Sequence, residues 1–69
     1  MSVRDNIRKY IQDKGLTQAV MARRAGLTPT KLSMALQNKR KLDVDEFIRL
    51  CEAMGVSMEE MRNYGSKSA

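Results

Sequence analysis

The sequence predicts an all-α domain, built as a compact bundle of five short helices. No segment alternates apolar and polar residues with a period of two, and the β-branched residues never cluster, which argues against strands. Capping residues instead divide the chain into short segments whose apolar residues have helical spacing. Two of these segments meet at residues 25–28, with the spacing of a helix-turn-helix.

The first two helices are bounded by small and polar residues. We expect helix one to begin after Ser2, with Asp5 completing a capping box, and to end at Gly15. We expect helix two to begin after Thr17 and to end at Gly26. The residues expected to face inward from these two helices are Val3, Ile7, Tyr10, Ile11, the stem of Lys14, Val20, Met21 and Ala25.

Helix three has a clear start and a clear end. Thr28 is a good cap and Pro29 suits the first helical turn, because its missing N–H would have had no partner there. Asn38 is expected to take the left-handed position that ends the helix, as the commonest substitute for glycine. The inner face is predicted to consist of Leu32, Ala35 and Leu36.

Two further capping boxes predict the last two helices. Asp43 with Glu46 opens helix four, and Ser57 with Glu60 opens helix five. Gly55 is expected to end helix four. The residues predicted to be buried on these helices are Val44, Phe47, Ile48, Cys51, Met54, Met58 and Met61. We expect residues 1–64 to form one domain and residues 65–69 to form a short, flexible polar tail.

The charge distribution is the main functional signal. The net charge is +5, and the segment from Lys14 to Lys41 contains no acidic residue. Its seven basic residues, the basic block, are Lys14, Arg23, Arg24, Lys31, Lys39, Arg40 and Lys41. Residues 42–69, by contrast, hold three basic and six acidic residues. A block of one sign within a folded domain attracts phosphate chains, so it predicts nucleic-acid binding.

The composition argues against catalysis, metal binding and a membrane location. The chain has no histidine to act as a general base, and no glycine-rich phosphate loop. Cys51 is the only cysteine, and its place on the inner stripe of helix four predicts a buried apolar role. No stretch approaches the ~20 apolar residues of a membrane span. We therefore expect a cytoplasmic protein that is not an enzyme and has no cofactor, metal or small-molecule substrate.

The outer face of helix three is suited to the major groove of DNA. It presents residues at the spacing i, i+3, i+4 and i+7 opposite Leu32 and Leu36, and the cationic loop from Lys39 to Lys41 follows at once. Side chains on this face are expected to read base edges: Thr30, Ser33, Met34 and Gln37. Phosphate contacts are expected from Thr17, Gln18, Thr28, Lys31, Lys39 and Arg40.

The run from Thr17 to Met61 resembles the Cro/phage-repressor type of helix-turn-helix domain, often called lambda-repressor-like or Xre-like. The matching residues are Thr17-Gln18, Ala22, Gly26, Leu27, Thr28, Leu32-Ser33, Lys39-Arg40, Ala53, Gly55, Val56 and Ser57. The resemblance covers about residues 3–64 and implies a five-helix bundle whose third helix lies in the major groove of operator DNA. It also implies that Gln18 contacts a phosphate, and that Pro29 lies on or beside the base-reading positions.

The chain departs from the family at three places. Some members pair an Arg in helix one with a Glu in helix three, and Ile11 and Leu36 occupy those positions here. Apolar pairs often replace buried ion pairs without loss of stability. Asn38 replaces the usual glycine. The base-reading face lacks Arg and Asn, so we expect specificity to depend partly on DNA shape.

These observations predict a phage or prokaryotic transcriptional regulator that recognises double-stranded DNA, with residues 29–37 as its recognition helix. We expect a weak homodimer that DNA strengthens, with contacts near Leu42 or at Met58, Met61 and Tyr64. The alternative is a helix-turn-helix module that binds a protein, such as an antitoxin or an inhibitor of another regulator, because a fold does not determine a function. The positive charge around the turn favours DNA.

Overall fold

The computed structural model describes residues 3–64, and in that range it contains five α-helices and no strand. The helices are α1 (Val3–Asp13), α2 (Gln18–Arg24), α3 (Pro29–Leu36), α4 (Val44–Met54) and α5 (Met58–Asn63). The predicted all-α, five-helix architecture is therefore confirmed. The predicted Ser2 cap and the tail at 65–69 lie outside the described residues.

The predicted caps start the later helices. The Thr28 hydroxyl accepts a hydrogen bond from the Lys31 N–H at 3.1 Å. The Glu46 carboxylate accepts one from the Asp43 N–H at 3.2 Å, and the Ser57 and Glu60 box closes with two bonds of 3.0 Å. Thr17 precedes α2 with extended backbone, but its side chain makes no capping bond.

Two matching C-terminal motifs define the turn after α2 and the loop after α3. Gly26 (φ 77°) and Asn38 (φ 62°) adopt the left-handed conformation, as predicted. In both places the next residue bonds back to the helix: the Leu27 N–H to the Ala22 carbonyl and the Lys39 N–H to the Met34 carbonyl, each at 2.8 Å. This is the Schellman pattern. This motif fixes the direction in which the basic loop, from Lys39 to Lys41, leaves α3.

The core forms where α3 packs against α1 and α2, and where α4 packs against α2 and α5. Its fully buried residues include Ile7, Leu32, Leu50 and Met61, and burying each such side chain contributes about 1.5–3 kcal/mol. The predicted inner face of α3 is confirmed, because Leu32, Ala35 and Leu36 are all buried. Ile11 and Leu36 belong to the same apolar cluster, on helices α1 and α3 that pack together.

Three residues predicted to face inward are exposed, namely Lys14 just after α1, Val44 and Met58. Val44 is 70% exposed and Met58 is 42% exposed, although the sequence predicts that both face inward. Each is the first residue of its helix, and a side chain there projects back over the preceding turn, beyond the reach of the core. On α4, Leu50 takes the fully buried place, while Phe47 and Ile48 are only half-buried.

α5 is attached to α1 by polar and aromatic contacts that the sequence did not predict. The buried Asn6 amide donates to the carbonyls of Met61 and Arg62, both at 2.9 Å. These carbonyls lie in the last turn of α5, where most carbonyls lack intrahelical donors, although the Met61 carbonyl also accepts from the Tyr64 N–H at 3.2 Å. The Tyr64 hydroxyl donates to Asp13 at 2.8 Å, and this bond lowers the pKa of Asp13 and raises the pKa of Tyr64.

Candidate nucleic-acid interface

The outer face of α3 is presented as the sequence predicts, opposite the buried Leu32 and Leu36. Thr30 and Gln37 are exposed, Met34 is 39% exposed and Ser33 is half-buried. The Gln37 amide donates to the Ser33 hydroxyl at 2.8 Å, so these two side chains form one polar unit. The side-chain carbonyl oxygen of Gln37 and the second N–H of its amide remain available for a ligand. Pro29 is half-buried at the start of the helix.

The residues expected to contact phosphate differ in their exposure to solvent. Thr17, Thr28, Lys31 and Lys39 are exposed, whereas Gln18 is half-buried at the start of α2. The Thr28 hydroxyl is already used as an acceptor in the α3 cap. It can still donate its own proton to a phosphate oxygen, because a hydroxyl combines one donor with two acceptor sites.

Arg40 differs from the other cations of the basic block. Its two terminal nitrogens lie 3.2 and 3.3 Å from the two carboxylate oxygens of Glu46, on α4. The Glu46 side chain is only 12% exposed, and its hydrogen bond from Arg40 lowers the pKa of the carboxyl group. The ion pair therefore connects the loop after α3 to the start of α4. No sequence signal indicates it, because the capping box alone accounts for Glu46.

The rest of the basic block is open to solvent and unpaired. Within residues 3–64, Arg40 is the only one of the seven cations with an ion pair. The other six are exposed, and the Lys14 amine lies 5.7 Å from the centre of the Tyr10 ring. Another exposed cation, Arg49 of α4, approaches the turn: its Nη1 would lie 3.3 Å from a Cβ built on Gly26. The sequence did not assign Arg49 to this surface, because it lies among acidic residues of the C-terminal half.

Cys51 lies away from this surface, in the core. It is 2% exposed, and burial raises the pKa of its thiol, as expected of a small apolar residue. Among residues 3–64, no helix is long and apolar enough to span a membrane.

The structure is that of a helix-turn-helix DNA-binding domain. Its bundle is all-α, the Gly26 turn joins α2 to α3, and cations are exposed around them. A family model described as helix-turn-helix, of the Cro/C1 type, matches residues 7–61. The chain belongs to this family, and the predicted resemblance is confirmed. The family is one of DNA-binding regulators rather than enzymes, so the protein is a DNA-binding helix-turn-helix regulator in general terms. No curated protein and no solved structure gave a significant match.

Proposed function

We propose that the protein is a sequence-specific transcriptional regulator of the small Cro/repressor type, with α3 as its recognition helix in the major groove. One observation carries the proposal: the outer face of α3 is exposed, and a Schellman motif directs the basic loop away from its end. Such a face can reach base edges while the loop holds phosphates.

The base-reading face combines polar and apolar contacts. The Gln37 side chain can make two hydrogen bonds to one base through its amide group. A hydrogen bond of 2.8 Å from Nε2 of Gln37 to Oγ of Ser33 holds the side chain in place. Met34 offers an apolar surface to a thymine methyl group. Thr30 adds a hydroxyl nearer the start of the helix. Because this face carries neither Arg nor Asn, part of the specificity comes from DNA shape.

The phosphate contacts fix the position of the recognition helix on the duplex. Lys31, Lys39 and Arg40 supply positive charge, and Gln18 lies at the positive end of the α2 dipole. A guanidinium has five N–H donors, so Arg40 keeps donors for a phosphate while Glu46 engages its two terminal nitrogens. Thr17, before α2, and Thr28, before α3, add hydroxyl donors.

DNA would bring two copies together on a palindromic site. Of the expected dimer contacts, Met61 is excluded because it is fully buried. Leu42 lines a largely apolar cleft together with Val3, Val44 and Phe47, and two charged residues, Arg4 and Asp43, border it. We expect such a patch to bury less than the ~1,200 Å² of a stable interface, so association without DNA would be weak. Sedimentation of the wild type and Val44→Glu, each with and without a palindromic duplex, tests this; a tight dimer without DNA would contradict it.

A salt titration with matched variants tests DNA binding. Affinity is measured for the best duplex from a random library and for a scrambled duplex. Lys39→Gln/Arg40→Gln should weaken binding to both and flatten the slope of log K against log salt by roughly 0.9 for each phosphate that the variant no longer neutralises. The control, Lys9→Gln/Arg62→Gln, removes the same charge from α1 and α5. Equal effects of both pairs would remove the loop from the interface.

A single substitution separates base reading from positioning. Gln37→Ala should cost about 1–3 kcal/mol on the best duplex and little on the scrambled one. Equal losses on both would mean that Gln37 only positions the helix. If the wild type binds neither duplex at low salt, the result favours the alternative that the domain binds another protein.

A further inference from the structure

A second cationic surface adjoins the end of the recognition helix. A cleft of about 290 Å³ separates the first half of α1 from the C-terminal end of α3. It is lined by Arg4, Asp5, Arg8, Leu36, Gln37 and Asn38. Two arginines from outside the basic block thus border the last base-reading residue, Gln37. The packing of α1 against α3 brings them there.

The two arginines are differently engaged. Arg8 makes an ion pair with Asp5 at 2.8 Å, and both side chains are about half exposed, at 53% and 48%. Exposed pairs of this kind contribute little stability, because water screens them. The Arg4 Nε is buried and has no hydrogen-bond partner among the described residues. Among the described residues that line the cleft, two guanidinium groups accompany one carboxylate, which is an excess of positive charge.

A DNA phosphate is the ligand that suits this arrangement. A duplex that receives Gln37 in its major groove also brings the backbone at the groove edge to the end of α3, since the groove is only about 12 Å wide. The planar guanidinium binds phosphate oxygens through two parallel hydrogen bonds, which favours Arg over Lys. We infer that Arg4 and Arg8 bind a DNA phosphate, and that Arg8 exchanges its Asp5 partner for this phosphate on binding.

This inference rests on the proposed function and adds α1 to its DNA-binding surface. It also gives Asp5 a role as the competitor of the phosphate. Replacing Asp5 by Asn leaves Arg8 without this internal rival, so DNA should then bind more tightly. The gain should depend on Arg8 being present.

Matched neutralising variants provide the test. Arg8→Gln and Lys9→Gln each remove one positive charge and one exposed ion pair from α1, since Lys9 pairs with Asp13 at 3.3 Å with similar exposure. Fluorescence anisotropy with one labelled duplex gives the affinity between about 50 and 200 mM salt, and thermal unfolding checks the fold. Arg8→Gln should flatten the slope of log K against log salt by about 0.9. The ratio of wild-type affinity to variant affinity should therefore shrink about 3.5-fold between about 50 and 200 mM salt. Lys9→Gln should leave the slope unchanged.

The Asp5→Asn variant completes a double-mutant cycle with Arg8→Gln. A gain in affinity that disappears when Arg8 is also replaced supports the exchange of partners. A gain of equal size in both backgrounds would show only a long-range charge effect and would overturn it. Equal slopes for Arg8→Gln and Lys9→Gln, in a protein that binds DNA, would overturn the inference while leaving the proposed function intact. A wild type without salt-dependent DNA binding would instead refute the proposed function itself.

Discussion

Leu36 is the last residue of α3 and connects the recognition helix to the core. It is 3% exposed and belongs to the same apolar cluster as Ile11 of α1. Leu36→Ala removes its buried methyl groups and leaves a cavity that rigid neighbours fill only in part. Such changes cost about 2–5 kcal/mol. A domain of this size has a free energy of unfolding near the lower end of the usual ~5–15 kcal/mol, so the substitution should leave it barely folded.

Urea unfolding followed by far-ultraviolet circular dichroism measures the loss of stability. Val44→Ala serves as the control, because it also shortens an aliphatic side chain but at a residue that is 70% exposed. It should change the free energy of unfolding by no more than about 0.5 kcal/mol. A decrease below about 1 kcal/mol for Leu36→Ala, or one no larger than that for Val44→Ala, would refute the packing described for α3.

Three further predictions concern single groups. Asn38 adopts φ 62°, so Asn38→Ala should lower the free energy of unfolding by about 1 kcal/mol in urea titrations, whereas Asn38→Gly should not. The pKa of Glu46 is lowered in the folded protein, so its ion pair stabilises the fold above pH ~4.3. This contribution is lost as the pH falls through the folded-state pKa. The urea midpoint of Glu46→Gln should therefore decline less on acidification than that of the wild type. The buried Cys51 thiol should react with a thiol reagent only on unfolding, and rapid labelling of the native protein would contradict its burial.

The helix boundaries could be predicted from the sequence because caps act locally. Thr28, Asp43 and Ser57 begin their helices through bonds to residues three positions away, and Asn38 needs only its own left-handed conformation. Val44 shows the limit of this reasoning. Its spacing matches the stripe of α4, but exposure depends on how far the neighbouring helices extend, which periodicity does not reveal.

The parts of the candidate site that the sequence does not predict all depend on tertiary contacts. The Arg40–Glu46 pair joins a loop to the next helix, and the cleft beside Gln37 forms only because α1 packs on α3. The hydrogen bonds from Asn6 to α5 cannot be predicted for the same reason, since their acceptors are 55 and 56 residues away along the chain. The outward positions on α3 could be predicted, because one helix period determines which residues lie opposite Leu32 and Leu36.

We expect DNA to bind to α3 and to the loop that follows it. The most direct measurement is a titration of ¹⁵N-labelled protein with a duplex selected from a random library, followed by amide chemical shifts. We expect the largest changes at the start of α2 near Gln18, along residues 30–34, and from Gln37 to Arg40. Changes confined to α5, or no changes at low salt, would contradict this expectation.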